Sequence, residues 1–572
     1  MMKPISIFCI LILALGYQSL LAQSLSIPLD SDPNRSATYH ESIRFYQNLR
    51  KKYPSYVTIE TFGNTDIGIP LHIVTISKRG NQKGKLVTLI NNAIHPGEPD
   101  GVDATMIFAR ELLADKTKIS LLDHQTIVII PFFNIDGAFN RNSFSRANQN
   151  GPKEYGFRGN AKNLDLNRDF IKMDSENTKS LVQIIRRLDP QVFVDNHVSD
   201  GADYPYTMTL LCTMYENLGA DLGDFLKNQY AQDLFKHMND LNDPMVPYVM
   251  SNDNPFTGIY GFYDTPRYSS GYTSLFRALG LIPETHMLKP FKQRVLSNLN
   301  LLNVILQTNH SYRDQIQNTQ KMQLEKDLTT DSLTLWWKMD KSKSDSLLFK
   351  GYLPKYKQSD VHLGQRLYYD KSETKTANIP FFDFYESSLK CKVPRFYVIP
   401  QAYSEVIQRL KMNGVTLNRL TKDTLINVQM SKINSYQTVK EPYEGHYLHY
   451  DINTTDFITA QKFYKGDYIV PTRQKAIKYI VQGLEPRSGD SFFAWNFFDG
   501  ILMRKEYYSD YVFEDSAVEI LKNNSTLKAN LDNKIKTDTT FAKDFGAQLR
   551  FVYENSKYSE TTYKLYPVGR IM

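Results

Sequence analysis

Cysteine is scarce in this chain, which has three among 572 residues. So few cysteines exclude a disulfide framework and a thiolate-ligated metal cluster. Cys9 lies in an N-terminal apolar segment, whereas Cys212 and Cys391 lie far apart in the remaining chain. One long-range disulfide between these two is compatible with the sequence, which does not decide whether it forms.

Positive charge is in small excess, and the formal net charge is +7. No Lys/Arg-rich tail or arm is present, so nucleic acid is not an expected partner. Internal repeats are also lacking, which excludes solenoids and propellers. Hydrophobic residues make up 41% and aromatic residues 13% of the chain. That content is sufficient for a packed core, and we expect two domains.

The N-terminal segment Met1–Gln23 places one lysine before an apolar run, Ile5–Leu15, and ends in small or apolar residues at Ala22. This order is typical of a secretory signal peptide, with cleavage near Ala22 or Gln23. An uncleaved membrane anchor is the alternative, but the run is shorter than the roughly 20 apolar residues that cross a bilayer. We therefore expect a secreted or periplasmic protein with no stable membrane span after cleavage.

The chain from Pro28 to Thr308 alternates short apolar runs with amphipathic segments. The predicted strands are Leu71–Ile76, Leu86–Ile90, Thr126–Pro131 and Gln191–Asp195, and the predicted helices are Thr38–Tyr53, Asp100–Leu113 and Ser175–Leu188. Such alternation predicts an α/β fold with a mainly parallel sheet and helices on both faces. The polar stretch Asn134–Asp169 is rich in Asn, Arg and Gly, and its length is typical of a functional loop.

Composition shifts toward Gln, Lys, Asp, Ser and Thr near Gln307–Ser346. We therefore predict a first domain over residues 24–315, a linker or connecting helix over 316–345, and a smaller α/β domain over 346–572. In the last, Arg395–Pro400 predicts a strand followed by a helix that ends at Gly414, and Tyr468–Gly483 predicts a second strand–helix pair. The aromatic stretch 491–499 is compatible with a carbohydrate platform, but core packing is favoured.

A candidate metal site begins with His95-Pro-Gly-Glu98, which directly follows a predicted strand. This spacing can direct a nitrogen and a carboxylate oxygen at one ion, although the pattern alone is weak evidence. His197 also follows a predicted strand and is the candidate for a third ligand. Zinc accepts two histidines and a glutamate with one open position, and open α/β sheets place sites at the carboxyl ends of their strands.

Three further side chains supply chemistry that such a metal site needs. Arg158 and Arg168 lie in the polar stretch, where a guanidinium can bind a carboxylate with two hydrogen bonds or stabilise a developing oxyanion. Glu284 ends a short apolar run, and a glutamate near a metal site can take a proton from water and give it to a leaving amine.

Five features follow one another along the chain: H-x-x-E, P-x-x-N-x-D-G (Pro131–Gly137), R…D-L-N-R, a strand-end His and a late Glu. In this order of motifs the sequence resembles the zinc carboxypeptidase family, of the carboxypeptidase A type, over about half of the chain. The resemblance implies an α/β/α sandwich on a mixed, mainly parallel eight-stranded sheet, and one Zn²⁺ per chain. It also implies roles: zinc ligands His95, Glu98 and His197; carbonyl-polarising Arg158; carboxylate-binding Asn167 and Arg168; and general base Glu284, acting on a zinc-activated water.

The sequence departs from the family in two respects. Members carry an active-site tyrosine upstream of the base, and here Tyr260, Tyr263, Tyr268 and Tyr272 all compete for that place. Arg267 is an additional cation that the family pattern does not predict. The spacing selects none of the four tyrosines.

The resemblance implies a metallocarboxypeptidase whose partner is a peptide or peptide-like substrate with a free carboxylate. Asp195-Asn-His197 is also similar to the D-x-H of deacylases on this fold. A zinc amidohydrolase acting on N-acyl amino acids or cell-wall peptides is therefore an alternative, and so is a non-catalytic binding protein on the same fold. The sequence gives no indication of oligomeric state or of side-chain preference.

Overall fold

The computed structural model describes residues 25–79, 84–250 and 253–572. The predicted signal peptide lies outside the described residues. Within the described ranges, no helix is both long enough and apolar enough to cross a membrane.

The first half of the chain builds one large mixed sheet. Its strands are β1 Val57–Phe62, β2 Leu71–Ile76, β3 Leu86–Asn91, β4 Gln125–Ile130, β5 Val192–Asp195, β6 His197–Ser199, β7 Met208–Cys212 and β8 Met245–Pro247, and β9 Ile259–Tyr260 is followed by β10 Leu279–His286. All but β9 belong to this sheet, in the order β1-β2-β4-β3-β5-β10-β7-β8 with β6 beside β10. The pairs β1–β2, β2–β4 and β7–β10 are antiparallel, and the others are parallel.

The expected eight-stranded sheet is thus a nine-stranded one. The difference arises at Asn196, the single residue that separates β5 from β6, since both segments pair with β10. The two segments therefore share one position in the sheet, and the expected mixed, mainly parallel arrangement is confirmed.

Helices cover both faces of the sheet, as predicted. Their bounds in this region are Pro28–Ser31, Tyr39–Lys52, Asp100–Ala114, Lys116–Ser120, Ile135–Phe139, Glu176–Leu188, Tyr215–Leu218, Ala220–Phe225, Ala231–Asp240, Ser269–Ser274 and Phe291–Thr329. Thr88 accepts a hydrogen bond from Asn309 of the longest helix. Asn91, which points to the opposite face, bonds to Asp195, and Asp195 in turn contacts Ser269. Because side chains alternate along a strand, these contacts lie on opposite faces.

The second half of the chain, from Ser332 onward, adds smaller sheets and further helices. The strands are β11 Ser332–Met339, β12 Asp345–Gln358, β13 Gln365–Phe382, β14 Tyr385–Lys392, β15 Phe396–Ile399, β16 Asn418–Arg419, β17 Thr424–Thr438, β18 His449–Phe463, β19 Tyr468–Pro471 and β20 Leu565–Ile571. The helices are Ser404–Met412, Ile477–Leu484, Asp510–Asn523, Ser525–Thr537 and Phe545–Glu554. Both predicted strand–helix pairs are present, and this region is mixed α/β as expected.

Only Thr330 and Asp331, which lie outside helix and strand, separate the two halves. The helix Phe291–Thr329 runs across the boundary placed at residue 315, and β11 begins at Ser332. The strand β9 pairs with β13, so the sheet β12-β13-β9 joins the two regions. The division into domains remains a prediction.

The main hydrophobic core contains buried side chains from both halves, among them Tyr272 and Tyr479. The aromatic stretch is part of it, with Phe492, Phe493 and Trp495 fully buried. Core packing, the favoured use of this stretch, therefore agrees with its burial. Cys212 and Cys391 are both free thiols.

Candidate active site

The three predicted metal ligands lie together at the carboxyl ends of the parallel strands. His95 and Glu98 follow β3, and a turn in which Glu98 N donates to His95 O (2.9 Å) brings their side chains to one side. His197 begins β6. One ligand atom from each of the three lies within 4.8 Å of the others, and all three residues are buried.

Each imidazole presents one nitrogen to Glu98 and the other to an aspartate. His95 Nδ1 lies 3.3 Å from Glu98 Oε1, and His197 Nδ1 lies 3.2 Å from Glu98 Oε2. His95 Nε2 bonds to Asp165 Oδ1 (2.9 Å), and His197 Nε2 lies 3.2 Å from Asp195 Oδ2. A carboxylate behind a ligating histidine fixes its tautomer and orientation, as in zinc sites.

The donor set fits a zinc ion. His95 Nδ1 is buried and has no hydrogen-bond partner, although it faces the Glu98 carboxylate. Two imidazole nitrogens and a carboxylate are the ligands of many catalytic zinc sites. Burial acts to raise the pKa of Glu98, but the charges of His95 and Arg146 hold it well below its usual value. Glu98 is therefore ionised, as a metal ligand must be.

Glu284 lies next to this triad because β10 pairs with β6, and in that register Glu284 is opposite His197. The Glu284 side chain and the three predicted metal ligands line one cavity, which has a volume of about 420 Å³. Burial raises the pKa of Glu284 to about 8, although His197 and Arg158 act in the opposite direction.

The predicted arginines and Asn167 also line this cavity. Arg158 donates from Nε to Asp165 Oδ2 (3.0 Å), and its Nη1 lies 3.4 Å from Glu98 Oε1. Asn167 accepts from Ser269 N (3.0 Å) through its side-chain oxygen, which leaves its NH₂ group as a donor. The Arg168 guanidinium lies over the Tyr268 ring, 4.5 Å from its centroid.

Of the four tyrosines that competed in the sequence, Tyr268 lines the cavity, and so does Tyr248, which sequence reasoning missed. Burial and the charge of Glu284 raise the pKa of Tyr248. Tyr248 follows the short strand β8 without any motif, so no sequence signal singled it out. Arg267 instead pairs with Asp490 of the second half, with Nη2 and Oδ1 2.7 Å apart.

Two more residues were missed. Arg146 Nη1 donates to Glu98 Oε1 (2.9 Å) from within the long polar stretch. Asp165 lies inside the D-L-N-R motif and contacts both His95 and Arg158. The only sequence signal for Arg146 was its place in an arginine-rich loop. Arg141 lies in the same loop, so this signal does not distinguish the two residues. The position of Asp165 in the motif was a signal that could have assigned it a role.

Comparison with known proteins identifies carboxypeptidases among the relatives of this chain. Residues 42–210 match the zinc carboxypeptidase family. The chain is 23% identical over 438 residues to carboxypeptidase 2 of Trichophyton tonsurans, covering 71% of this chain and 73% of that protein. It is likewise 23% identical over 424 residues to carboxypeptidase 2 of Trichophyton rubrum, covering 71% and 73%.

Solved structures with similarity include carboxypeptidase A from Helicoverpa armigera, with 16% identity, a TM-score of 0.39 and coverage of 52% of this chain and 81% of that one. A metallo-carboxypeptidase from Burkholderia cenocepacia has 17% identity, a TM-score of 0.39 and coverage of 48% and 70%. The family match contains every predicted site residue except Glu284. The resemblance seen in the motifs is thus confirmed over residues 42–210, and the match to this family and to the carboxypeptidase relatives supports a metallopeptidase of the carboxypeptidase type.

Proposed function

We propose that this protein hydrolyses the C-terminal peptide bond of peptides in a zinc-dependent reaction with Glu284 as general base. One observation carries the proposal. The histidine–glutamate–histidine triad, Glu284 and the predicted substrate-binding residues all line one cavity, although they come from distant parts of the chain.

One zinc ion per chain would be held by His95, Glu98 and His197. When bound, zinc supplies a Lewis acid that polarises a carbonyl and acidifies water. The chain contributes the orientation of the ligands, since Asp165 and Asp195 contact the outer nitrogens of the two imidazoles.

Glu284 would accept a proton from the attacking water at its carboxylate and pass it to the nitrogen of the leaving amine. Its burial supports this role, because burial raises the pKa of the carboxyl and so lets it hold the abstracted proton until the amine leaves. A solvent-exposed glutamate would lose the proton to water more readily.

Arg158 would stabilise the negative charge that develops on the carbonyl oxygen, and Asn167 with Arg168 would bind the free carboxylate of the substrate. The Asn167 amide presents its NH₂ group, and Arg168 is held by its stacking on Tyr268. A site that requires this carboxylate accepts only the last residue of a peptide, which makes the reaction an exopeptidase reaction.

The test compares zinc content and hydrolysis of a peptide library by wild type and by Glu284→Gln. We expect wild type to bind one zinc per chain and to release single C-terminal residues. The variant should keep its zinc and lose at least about 10³-fold in kcat, since it lacks the base. Glu216→Gln is the matched control, because Glu216 is also a carboxyl whose pKa is raised by burial, outside this cavity.

Peptides with amidated C-termini separate the alternatives. Equal hydrolysis of the free and the amidated peptide would contradict the carboxypeptidase proposal and favour a broader amidohydrolase. Zinc binding without any peptide hydrolysis would point to N-acyl amino acids or cell-wall peptides, and a chain that binds no zinc would point to the binding-protein alternative. Secreted or periplasmic location stays a prediction from the N-terminal segment.

A further inference from the structure

A tight turn of the second half, Tyr443–His446, contacts the active-site loop, which is the segment Arg158–Asp174 that carries several predicted site residues. The turn lies in the connection between β17 and β18. Tyr443 N donates to His446 O (2.7 Å), and His446 N donates to Tyr443 O (3.1 Å). The two central residues, Glu444 and Gly445, have φ angles of +50° and +81°. Two-residue hairpin turns of this kind need positive φ at both central positions.

Glutamate is an unfavourable residue at the first central position of such a turn. Asn, Asp and Gly predominate there because other side chains are strained at positive φ. A strained residue that persists in a folded protein is often explained by what its side chain does. The Glu444 side chain has a specific partner: its Oε2 accepts a hydrogen bond from the backbone N of Asp165 (2.8 Å).

Asp165 is the residue around which the active-site loop is organised. Its Oδ1 accepts from the backbone N of Asn167 (2.9 Å) and lies 2.9 Å from His95 Nε2. Its Oδ2 accepts from Arg158 Nε (3.0 Å). A shift of the Asp165 backbone would therefore move the predicted metal ligand His95, the predicted carbonyl-polarising Arg158 and the predicted substrate-binding Asn167 together.

A second contact of the same turn holds the far end of this loop. His446 Nε2 lies 2.8 Å from Asp174 Oδ2. Arg409, on the helix Ser404–Met412, donates to Asp174 Oδ1 (3.1 Å). The second half of the chain thus holds the loop from Arg158 to Asp174 at two points, near its middle at Asp165 and at its end at Asp174.

We propose that Glu444 is a positioning residue of the active site, whose carboxylate fixes the backbone of Asp165 and thereby orients His95, Arg158 and Asn167. The proposal rests on the proposed carboxypeptidase function. It gives the second half of the chain a part in catalysis that acts through Asp165, so that both halves contribute to one active site.

The central test compares Glu444→Asn with Glu444→Gln. Asparagine suits positive φ but is too short to reach Asp165, whereas glutamine keeps both the reach and an acceptor oxygen. We expect Glu444→Asn to keep the wild-type Tm and zinc content and to lose about tenfold in kcat/KM, the effect of one lost charged hydrogen bond. Glu444→Gln should stay within about threefold of wild type.

A purely structural turn predicts the opposite pattern. In that case Glu444→Asn would be fully active and at least as stable as wild type, which would overturn the proposal. An equal loss of activity in both variants would also overturn it, since Glu444→Gln retains the hydrogen bond. Should Glu444→Asn fail to fold, Glu444→Gly replaces it, because glycine adopts positive φ without strain.

Hydrogen exchange separates this proposal from the proposed function. The amide of Asp165 should be protected in wild type and in Glu444→Gln, and should exchange at least about tenfold faster in Glu444→Asn. This readout needs no substrate. Unchanged exchange of residues 158–170 in Glu444→Asn would refute the positioning role even if peptides are hydrolysed, whereas an inactive wild type with the expected exchange pattern would refute only the peptidase function.

Discussion

At the scale of single residues, the proposed carboxylate-binding pair Asn167 and Arg168 would determine whether the enzyme selects substrates with a free carboxylate. Lysine keeps the charge of Arg168 but cannot form two parallel hydrogen bonds or stack on Tyr268 in the same way. We expect Arg168→Lys to raise KM for free-carboxylate peptides about 10- to 100-fold with a smaller change in kcat.

Steady-state kinetics on a capped dipeptide and on its amide measure this effect. Arg141→Lys is the control, since Arg141 lies in the same polar stretch and pairs with Glu154 at 3.5 Å. If KM for the free acid is unchanged in Arg168→Lys, the carboxylate is bound elsewhere in the cavity.

A buried carboxyl away from the active site gives a prediction about pH. Asp103 is fully buried and accepts hydrogen bonds from Ser36 Oγ (2.7 Å) and Ala37 N (3.2 Å). Burial raises its pKa from 3.8 to about 7. The folded protein therefore holds a proton that the unfolded chain releases, so stability falls as pH rises from about 4 to 7 and then levels off.

Asparagine at this position keeps an acceptor for Ala37 and cannot ionise. We expect Asp103→Asn to be more stable than wild type by on the order of 2–4 kcal/mol above pH 7, and the gain should shrink toward pH 4. Urea unfolding across this pH range measures the difference. A gain that does not change with pH would exclude ionisation of Asp103 as its cause.

Whether a site residue could be predicted depends on whether its signal lies in the local sequence or only in tertiary contacts. The clustering of His95, Glu98, His197 and Glu284 was predictable because each stands at or near the end of an apolar run, in an order shared with a known family. Tyr248 belongs to no motif, and its place in the cavity depends on tertiary packing alone. The contact of Glu444 with Asp165 joins residues 279 positions apart, which no local pattern can indicate.

At the scale of elements, the helix Asp100–Ala114 must approach the strand ends closely to place Glu98. Its second residue is Gly101, and a Cβ there would lie 2.3 Å from Asn196 Cβ and 2.6 Å from Asn92 Oδ1. Gly101→Ala should therefore push the helix away from the residue that precedes His197. We expect a loss of about 1–3 kcal/mol in stability together with weaker zinc binding.

Thermal unfolding and zinc titration test this prediction. Gly500→Ala is the matched control, because no atom lies within 4 Å of the added Cβ there. Weaker zinc binding in both variants, or in neither, would show that the close approach of this helix does not set the metal site.

Elements of the main sheet were predicted better than the connection between the two halves. The strand Leu71–Ile76 has the predicted bounds because polar or turn-forming residues flank its apolar run. The helix Phe291–Thr329 continues into a segment whose polar composition also suits a linker. Its last turns are held by tertiary contacts, since Asp327 pairs with the buried Arg277 at 2.8 Å.

At the scale of the whole molecule, the two halves share one core, and the last helices form another. Tyr479 of the second half packs against Tyr272 and Phe276 of the first, with ring centroids 6.3 and 6.0 Å apart. A separate cluster, which includes Phe513, Leu531 and Val552, holds together the three helices between residues 510 and 554.

The ends of this helical segment lie side by side, because the backbone N of Lys505 donates to Glu560 Oε1 (2.7 Å). A segment that has its own core and adjacent ends can be removed without breaking the chain path. Replacing residues 507–558 by a short Gly/Ser linker should therefore leave zinc binding intact and preserve cooperative unfolding.

Truncation after Thr329 should have the opposite result. It would expose the apolar surface of Tyr272 and Phe276 and remove the Lys475 carbonyl that accepts from Arg277, leaving a buried guanidinium with fewer partners. Exposure of a large apolar patch favours aggregation, and loss of the contact from Glu444 would loosen Asp165. We expect this shorter chain to be insoluble or to unfold without a cooperative transition, as circular dichroism and zinc analysis would show. A soluble, zinc-loaded fragment ending at residue 329 would mean that the first half folds alone and that the second half serves the active site without being needed for the core.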